Sequence, residues 1–436
     1  MPGSLVDDLE NLKGAFGADA EPRVARLLIW ATTLRLTDPL ELIRLHETLQ
    51  FLRAYPPSPR VLGLAVRLLH SFGRRLTGVP REEFEYAEVS GLARTSVSTA
   101  FSHTFASSLA RRHGRNIDID WDRYQHPNRL GRTLAKLIPE AFEDWAIQPH
   151  ANWRRWYEKK RREKQGQGLL WLLEQIDPEV YALLELPLRW NLGDSDASRT
   201  RLRIPRTRIF YHDAPLLTRR DVSIAAELSK PKIAIRKLSL QKGKTILDVI
   251  TDASAVRYRE LYGFEYPDAH NVFHADLGRG VDFYFCGLAP AWKLPRRDYM
   301  SGMFFKNGIP TGYVEVMWYQ ERMEVGFNLY YTFRQGETAW LYARLLKLFH
   351  EQFAATSLVV DPYQLGHEND EAISSGAFWF YYKMGFRPTS KDAARLAAQE
   401  HSQIERQPGY RTGPRRLMQL AKSNLVYSIK NKDKGK

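Results

Sequence analysis

The sequence predicts a mixed α/β protein of the α+β class: a central, mostly antiparallel sheet flanked by helices, preceded by a largely α-helical N-terminal region. Three observations predict it. Apolar residues recur at helical spacing through the first third of the chain. Beyond it they fall into short runs of strand length, and between two such runs sits Asn307-Gly308, the dipeptide that two-residue hairpins prefer.

The 436 residues are 44% apolar and 26% charged, a balance that excludes a disordered or fibrous chain. No uncharged apolar run reaches the length a membrane-spanning helix needs. Asp7, Asp8 and Glu10 stand where a secretory signal would be basic and then apolar. Cys286 is the one cysteine, so an intrachain disulfide and a Cys-rich zinc site are excluded and the cytoplasm is the expected compartment. The net charge of +14 favours a polyanionic partner, whether nucleic acid, anionic lipid or a phosphate-bearing cofactor, and equally fits a generally basic protein.

In chain order, Val24, Leu27, Leu28, Trp30 and Ala31 begin one helical stripe, and Leu62, Leu64, Val66, Leu68 and Leu69 form another. Pro56, Pro57 and Pro59 break the chain between them. The run 101–109 ends in Arg111, Arg112 and Gly114, a basic last turn and a glycine stop. Segment 92–98, rich in Ser and Ala, has a faint helix-turn-helix pattern. Trp153, Arg154, Arg155, Trp156, Tyr157, Lys159, Lys160, Arg161, Arg162 and Lys164 form a basic aromatic cluster. It suits an RNA or DNA backbone, or a solvated helix whose rings face the core. Arg199, Arg201, Arg203, Arg206 and Arg208 form a second basic strip, whose alternation predicts an exposed strand edge.

After residue 230 the pattern predicts a strand at 233–235, a helix at 246–262 and a strand at 299–305. The hairpin follows, then strands at 313–318 and 325–331, an amphipathic helix at 337–353 and a buried strand at 357–360. A helix at 372–384 closed by Gly385 and a strand at 425–429 complete it, and Lys430, Lys432, Lys434 and Lys436 read as a solvated tail. The expected partition is 1–165 helical, 166–231 a basic connection, 232–430 the α/β domain and 431–436 the tail.

Ala377-Phe378-Trp379-Phe380-Tyr381-Tyr382-Lys383-Met384-Gly385-Phe386 matches A-x-x-x-Y-x-K-x-G-F, the closing helix of a known family. With the order of elements before it, the segment from about 232 to 390 resembles the GNAT superfamily of acyl-CoA N-acyltransferases. The resemblance implies transfer of an acyl group from acetyl-CoA or another acyl-CoA to an amine. It makes Tyr381 the acid that protonates the departing thiolate; packing of the helix onto the sheet is the other reading of that ring. It makes Glu324 or Glu315 the base, unless these are surface carboxylates. Tyr330, Tyr331, Arg334, Gln335, Gly336 and Ala339 become the loop that cradles the CoA pyrophosphate at a helix N-terminus, with N–H groups near Tyr330 on the thioester carbonyl. Glu337 stands where that loop has its middle glycine, and a carboxylate there would repel pyrophosphate. Thr332 and Gln335 also have capping-box spacing. An aminoacyl-tRNA donor, or a noncatalytic binding protein, remain open alternatives.

Elsewhere, Cys286 lies in the strand-like apolar run 283–287, where an inert core cysteine is expected; a Cys-His nucleophile with His270 or His274 stays open, though nothing in the spacing argues for it. His367, Glu368, Asp370 and Glu371 lack metal-ligand spacing, so no metal is expected. No Walker, dinucleotide-glycine or Gly-x-Ser-x-Gly pattern is present, and the sequence leaves the oligomeric state unread.

Overall fold

Residues 4–17, 19–86, 89–147 and 152–429 are described in the structure, a computed structural model. Lys430, Lys432, Lys434 and Lys436 lie outside them. The chain is α+β, with many helices, a three-stranded sheet and a nine-stranded sheet. Its residues group into two units that interleave in sequence, unlike the contiguous partition expected. The first holds 1–214, 239–269 and 307–310; the second holds 215–238, 270–306 and 311–436.

The first unit is mainly helical. Leu5–Leu12, Ala20–Thr33, Pro39–Ala54 and Pro59–His70 pack their apolar faces into one core, with Leu28, Leu45, Leu49 and Leu68 buried. Pro56 and Pro57 lie between the last two of these helices, Pro59 opens the last one, and Ser58 caps it by accepting from the Val61 N–H. Segment 92–98 is not a helix-turn-helix: Ser96–Thr99 is a strand paired antiparallel with Leu188–Asn191. Trp153–Glu163 is a helix whose Trp153, Trp156 and Tyr157 are buried, so its rings pack inward and its charged side chains, Glu158 and Glu163 among them, face out. The 199–208 strip is not a strand. Arg199 is buried against Glu47, and Arg201 hydrogen-bonds Asp194 and the His70 carbonyl.

The large sheet carries the second unit. Its strands are β1 (Ile235–Lys237), β2 (Pro267–Gly278), β3 (Val281–Leu288), β4 (Asp298–Lys306), β5 (Ile309–Tyr319), β6 (Arg322–Leu329), β7 (Ser357–Val360), β8 (Arg387–Pro388) and β9 (Leu425–Ser428). Their order is β8-β9-β7-β6-β5-β4-β3-β2-β1. Asn307 and Gly308, at φ 49° and 82°, make the two-residue turn between β4 and β5. Even-numbered residues of β5 and odd-numbered residues of β6 (Val314, Val316, Met323, Val325, Phe327) point into a core filled by the Thr338–Phe353 helix. Glu315, Met317, Arg322, Glu324 and Gly326 lie on the other face.

Several boundaries differ from the sequence reading. The helix expected at 246–262 is Leu240–Ala255, and the chain leaves it through Tyr258 at φ 53°. The helix expected at 372–384 is two, Asp370–Ser375 and Ala377–Lys383, because Gly376 adopts φ 67° and caps the first. The long helix begins at Thr338 with Glu337 as its N-cap residue, and Tyr331–Phe333 is a separate single turn, so Thr332 and Gln335 form no capping box there.

Candidate active site

Strand β6 is paired along its whole length on one side, from Tyr319↔Arg322 to Gly312↔Leu329 with β5. On the other side β7 runs parallel to it for three rungs only, the last being Val359↔Glu324. β7 ends at Val360, and Asp361 caps the short Pro362–Leu365 helix that turns away. The β6 edge from Val325 to Leu329 therefore runs on past the ladder. The Gln364 side-chain amide lies along it, 3.5 Å from where a Cβ on Gly326 would stand.

The loop after β6 leads to the head of the long helix. The Tyr330 N–H donates to the Thr311 carbonyl at 2.9 Å, and the Phe333, Arg334 and Gly336 N–H groups close local turns. Tyr330 is half-buried, Tyr331 and Gln335 are exposed, and Ala339 is in the core. Arg334 pairs with Glu371 and donates to the Leu329 carbonyl. Among the described residues the N–H groups of Thr338, Ala339 and Trp340 find no acceptor, as expected of a first helical turn.

Glu337 does not face a cofactor loop as a bare charge. Its carboxylate is 2% exposed and receives two bonds from Arg279, the Nε one at 2.9 Å. The Leu217 N–H donates to it at 3.1 Å, and the Lys306 ammonium stands 3.8 Å away. The repulsion expected from its sequence position is thus cancelled locally by two cations. Nothing in the loop's spacing signals this, since Arg279 sits in the β2–β3 turn and Lys306 at the end of β4.

Of the two carboxylates, Glu315 accepts a hydrogen bond from the Tyr299 hydroxyl. Burial raises its pKa above the ordinary glutamate value, and that bond partly offsets it. Glu324 occupies the last parallel rung. Burial and the nearby Asp361 carboxylate push its pKa up, while Arg297 and Arg322 pull it down. It lines an open cavity of about 1050 Å³ with Leu294, Arg296, Arg297, Met317, Tyr319 and Arg322. The sequence reading had Glu324 but not these arginines, two of which precede β4 while the third opens β6 itself.

Tyr381 is 4% exposed and lies edge-on to Tyr342, ring centroids 5.5 Å apart, with Phe386 at 5.9 Å. Burial raises its pKa, keeping the phenol protonated at neutral pH. Tyr342, in the second turn of the long helix, is fully buried and its hydroxyl has no hydrogen-bond partner among the described residues. A buried hydroxyl left so costs about 1–3 kcal/mol, the kind of cost kept where a polar group is needed. The sequence does not single out Tyr342, since nothing in the helical spacing distinguishes a core ring from a polar one.

Among the described residues no group of three or more His, Cys, Asp or Glu could hold a metal ion, and no helix is long and apolar enough to cross a membrane. No family model, no curated protein and no solved structure matches this chain.

Proposed function

We propose that the second unit is an N-acyltransferase that moves an acyl group from acetyl-CoA, a longer acyl-CoA or another activated acyl carrier to an amine. The observation that carries this reading is the parting of β6 and β7 after Glu324. A strand edge without a ladder partner offers alternating N–H and C=O groups, which suits the amide-bearing arm of an acyl carrier laid along it as an added strand. The first-turn N–H groups of the Thr338–Phe353 helix, a few residues on, suit a phosphate.

In this reading Glu324 takes the proton from the incoming ammonium. The freed nitrogen attacks the thioester carbon, the C–N bond forms and the C–S bond breaks. Tyr381 supplies a proton to the departing sulfur, the second proton shed by the acylated nitrogen passes through water to restore the phenol, and Glu324 returns its own to solvent. The Tyr330 N–H is already engaged, so the carbonyl oxygen would be held instead by groups on the 325–329 edge. We assign the protein to the cytoplasm, where one reduced, buried cysteine and an acyl-CoA pool are both at home. A nucleic-acid backbone would meet the exposed cations Arg155, Lys159 and Arg162, without ring stacking.

The test is thermal. Acetyl-CoA at 100 times its Kd should stabilise the folded chain by about 2.7 kcal/mol, a clear rise in melting temperature. No rise with acetyl-CoA or with a long-chain acyl-CoA would remove CoA as donor, and an aminoacyl-tRNA donor or a noncatalytic role would replace it.

A further inference from the structure

The cavity beside Glu324 carries more cationic charge than its own residues use. Arg296, Arg297 and Arg322 line it, all exposed, and none forms an ion pair with a carboxylate among the described residues. Asp298 and Glu324 are the only carboxylates of the lining, against three guanidinium groups. Arg322 and Glu324 lie two residues apart on one face of β6, so their Cα atoms are about 6.5–7 Å apart. Arg297 is near enough to act on the Glu324 carboxyl electrostatically. Leu294, Met317 and Tyr319 supply an apolar wall, and the volume is at the upper end of small-molecule sites.

A ligand that brings its nitrogen to Glu324 therefore meets guanidinium groups within a few bonds of that nitrogen. A plain amine, cationic before it reacts, would gain nothing from them. A molecule carrying an anion close to its amine would have both ends matched, because guanidinium groups pair with carboxylate and phosphate oxygens through paired N–H donors. We infer that the acceptor is an amine bearing its own carboxylate or phosphate on an apolar body, with Arg297 and Arg322 holding the anion while Glu324 meets the nitrogen. This rests on the acyltransferase reading for what happens next, but not for binding itself.

Calorimetry on the full chain without any acyl-CoA tests it. The probes are L-phenylalanine, L-phenylalaninamide and the α-aminophosphonate analogue of phenylalanine. The acid and the phosphonate should bind at least ten-fold more tightly than the amide, and whichever of them binds better names the anion. Arg297→Gln and Arg322→Gln should each erase the preference. Both side chains are exposed, so melting temperatures should stay within about 2 °C of wild type. Equal affinity for acid and amide, no measurable binding of either anionic probe, or variants that keep the preference would each overturn the inference. The acetyl-CoA melt, run on the same proteins, separates this from the function itself. Stabilisation by acetyl-CoA without an anion preference overturns only the acceptor class. An arginine-dependent preference without acetyl-CoA stabilisation supports the anionic-amine site and overturns acyl transfer from CoA.

Discussion

Replacing Glu337 by Ala should be among the most destabilising single changes in the second unit. The carboxylate is 2% exposed and neutralises Arg279 through two bonds, with the 1%-exposed Lys306 ammonium 3.8 Å away. Taking away one member of a buried ionic cluster strands its partners, at a cost of about 3–5 kcal/mol. At roughly 2–4 °C per kcal/mol for a unit of 150–250 residues, the melting temperature should fall by roughly 6–20 °C. Circular dichroism melts read this directly. The paired variant Glu337→Leu with Lys306→Met should recover part of the loss, because it removes a buried cation along with its counter-charge. A Glu337→Ala protein melting within 2 °C of wild type, or a paired variant less stable than the single one, would refute the reasoning. Glu337→Gly should likewise cost stability and bring no gain in acetyl-CoA affinity, since the charge it removes is already compensated.

Glu324→Gln should lower acyl transfer by roughly 10²–10⁴-fold. Because the base works deprotonated and its pKa lies above the ordinary glutamate value, the wild-type rate should rise with pH through a limb displaced upward, and the Gln variant should lose that limb. Tyr381→Phe should cut the rate by roughly 10²–10⁴-fold with little change in melting, whereas Tyr382→Phe, whose ring stacks on Arg387 at 4.3 Å, should leave the rate unchanged; equal effects would mean that packing, not a proton, is at stake. Burial holds the His46 imidazole below the ordinary histidine value, so the folded state binds fewer protons than the unfolded one. Its contribution is present above about pH 6.5 and is lost as pH falls below that, by up to about 1.4 kcal/mol per pH unit. Urea titrations at pH 7.5 and 5.5 should show this loss, and a His46→Gln protein should show a smaller one. Arg155→Ala with Arg162→Ala should flatten the salt dependence of any duplex DNA or tRNA binding, with about 0.9 lost from the log–log slope per phosphate contact removed; an unchanged slope would clear this helix of nucleic acid.

The parts of the fold legible in sequence were those set by local grammar. Asn307-Gly308 fixed a hairpin because both residues must take positive φ, and few other dipeptides do so cheaply. The long helix and the buried β7 were legible from periodicity and apolar run length. The failures share a cause: tertiary partners decided what local pattern could not. The alternating Arg201-Leu202-Arg203-Ile204 segment buries Leu202 as a strand would, but among the described residues no strand pairs with it, and pairing is what local alternation cannot supply. The long strand β2 went unread because its mixed face hid its period, and of β3 only the apolar run 283–287 was legible as strand-like. At the site, Glu324, Tyr381 and Glu337 were singled out through the family resemblance, but their surroundings were not: Arg297, Arg279 and Lys306 converge from segments that no local window around those residues contains, and nothing local marks Arg322, two residues from Glu324, as lining a cavity.

That convergence bears on how the two halves of the proposed reaction share one strand. β6 carries Glu324 at its last paired rung and then runs on as an open edge. The two requirements are electrostatically opposed. A base must give up its proton readily, which burial beside Asp361 hinders, while a thioester carbonyl needs dry, fixed dipoles, which burial supplies. Arg297 and Arg322 reconcile them from the wet side: they ease ionisation of Glu324 from the cavity without adding charge to the apolar face where Tyr342 and Tyr381 lie. If so, neutralising either arginine should move the rising pH limb further upward, not merely lower its plateau. A plateau loss with the limb unmoved would assign the arginines to acceptor binding alone.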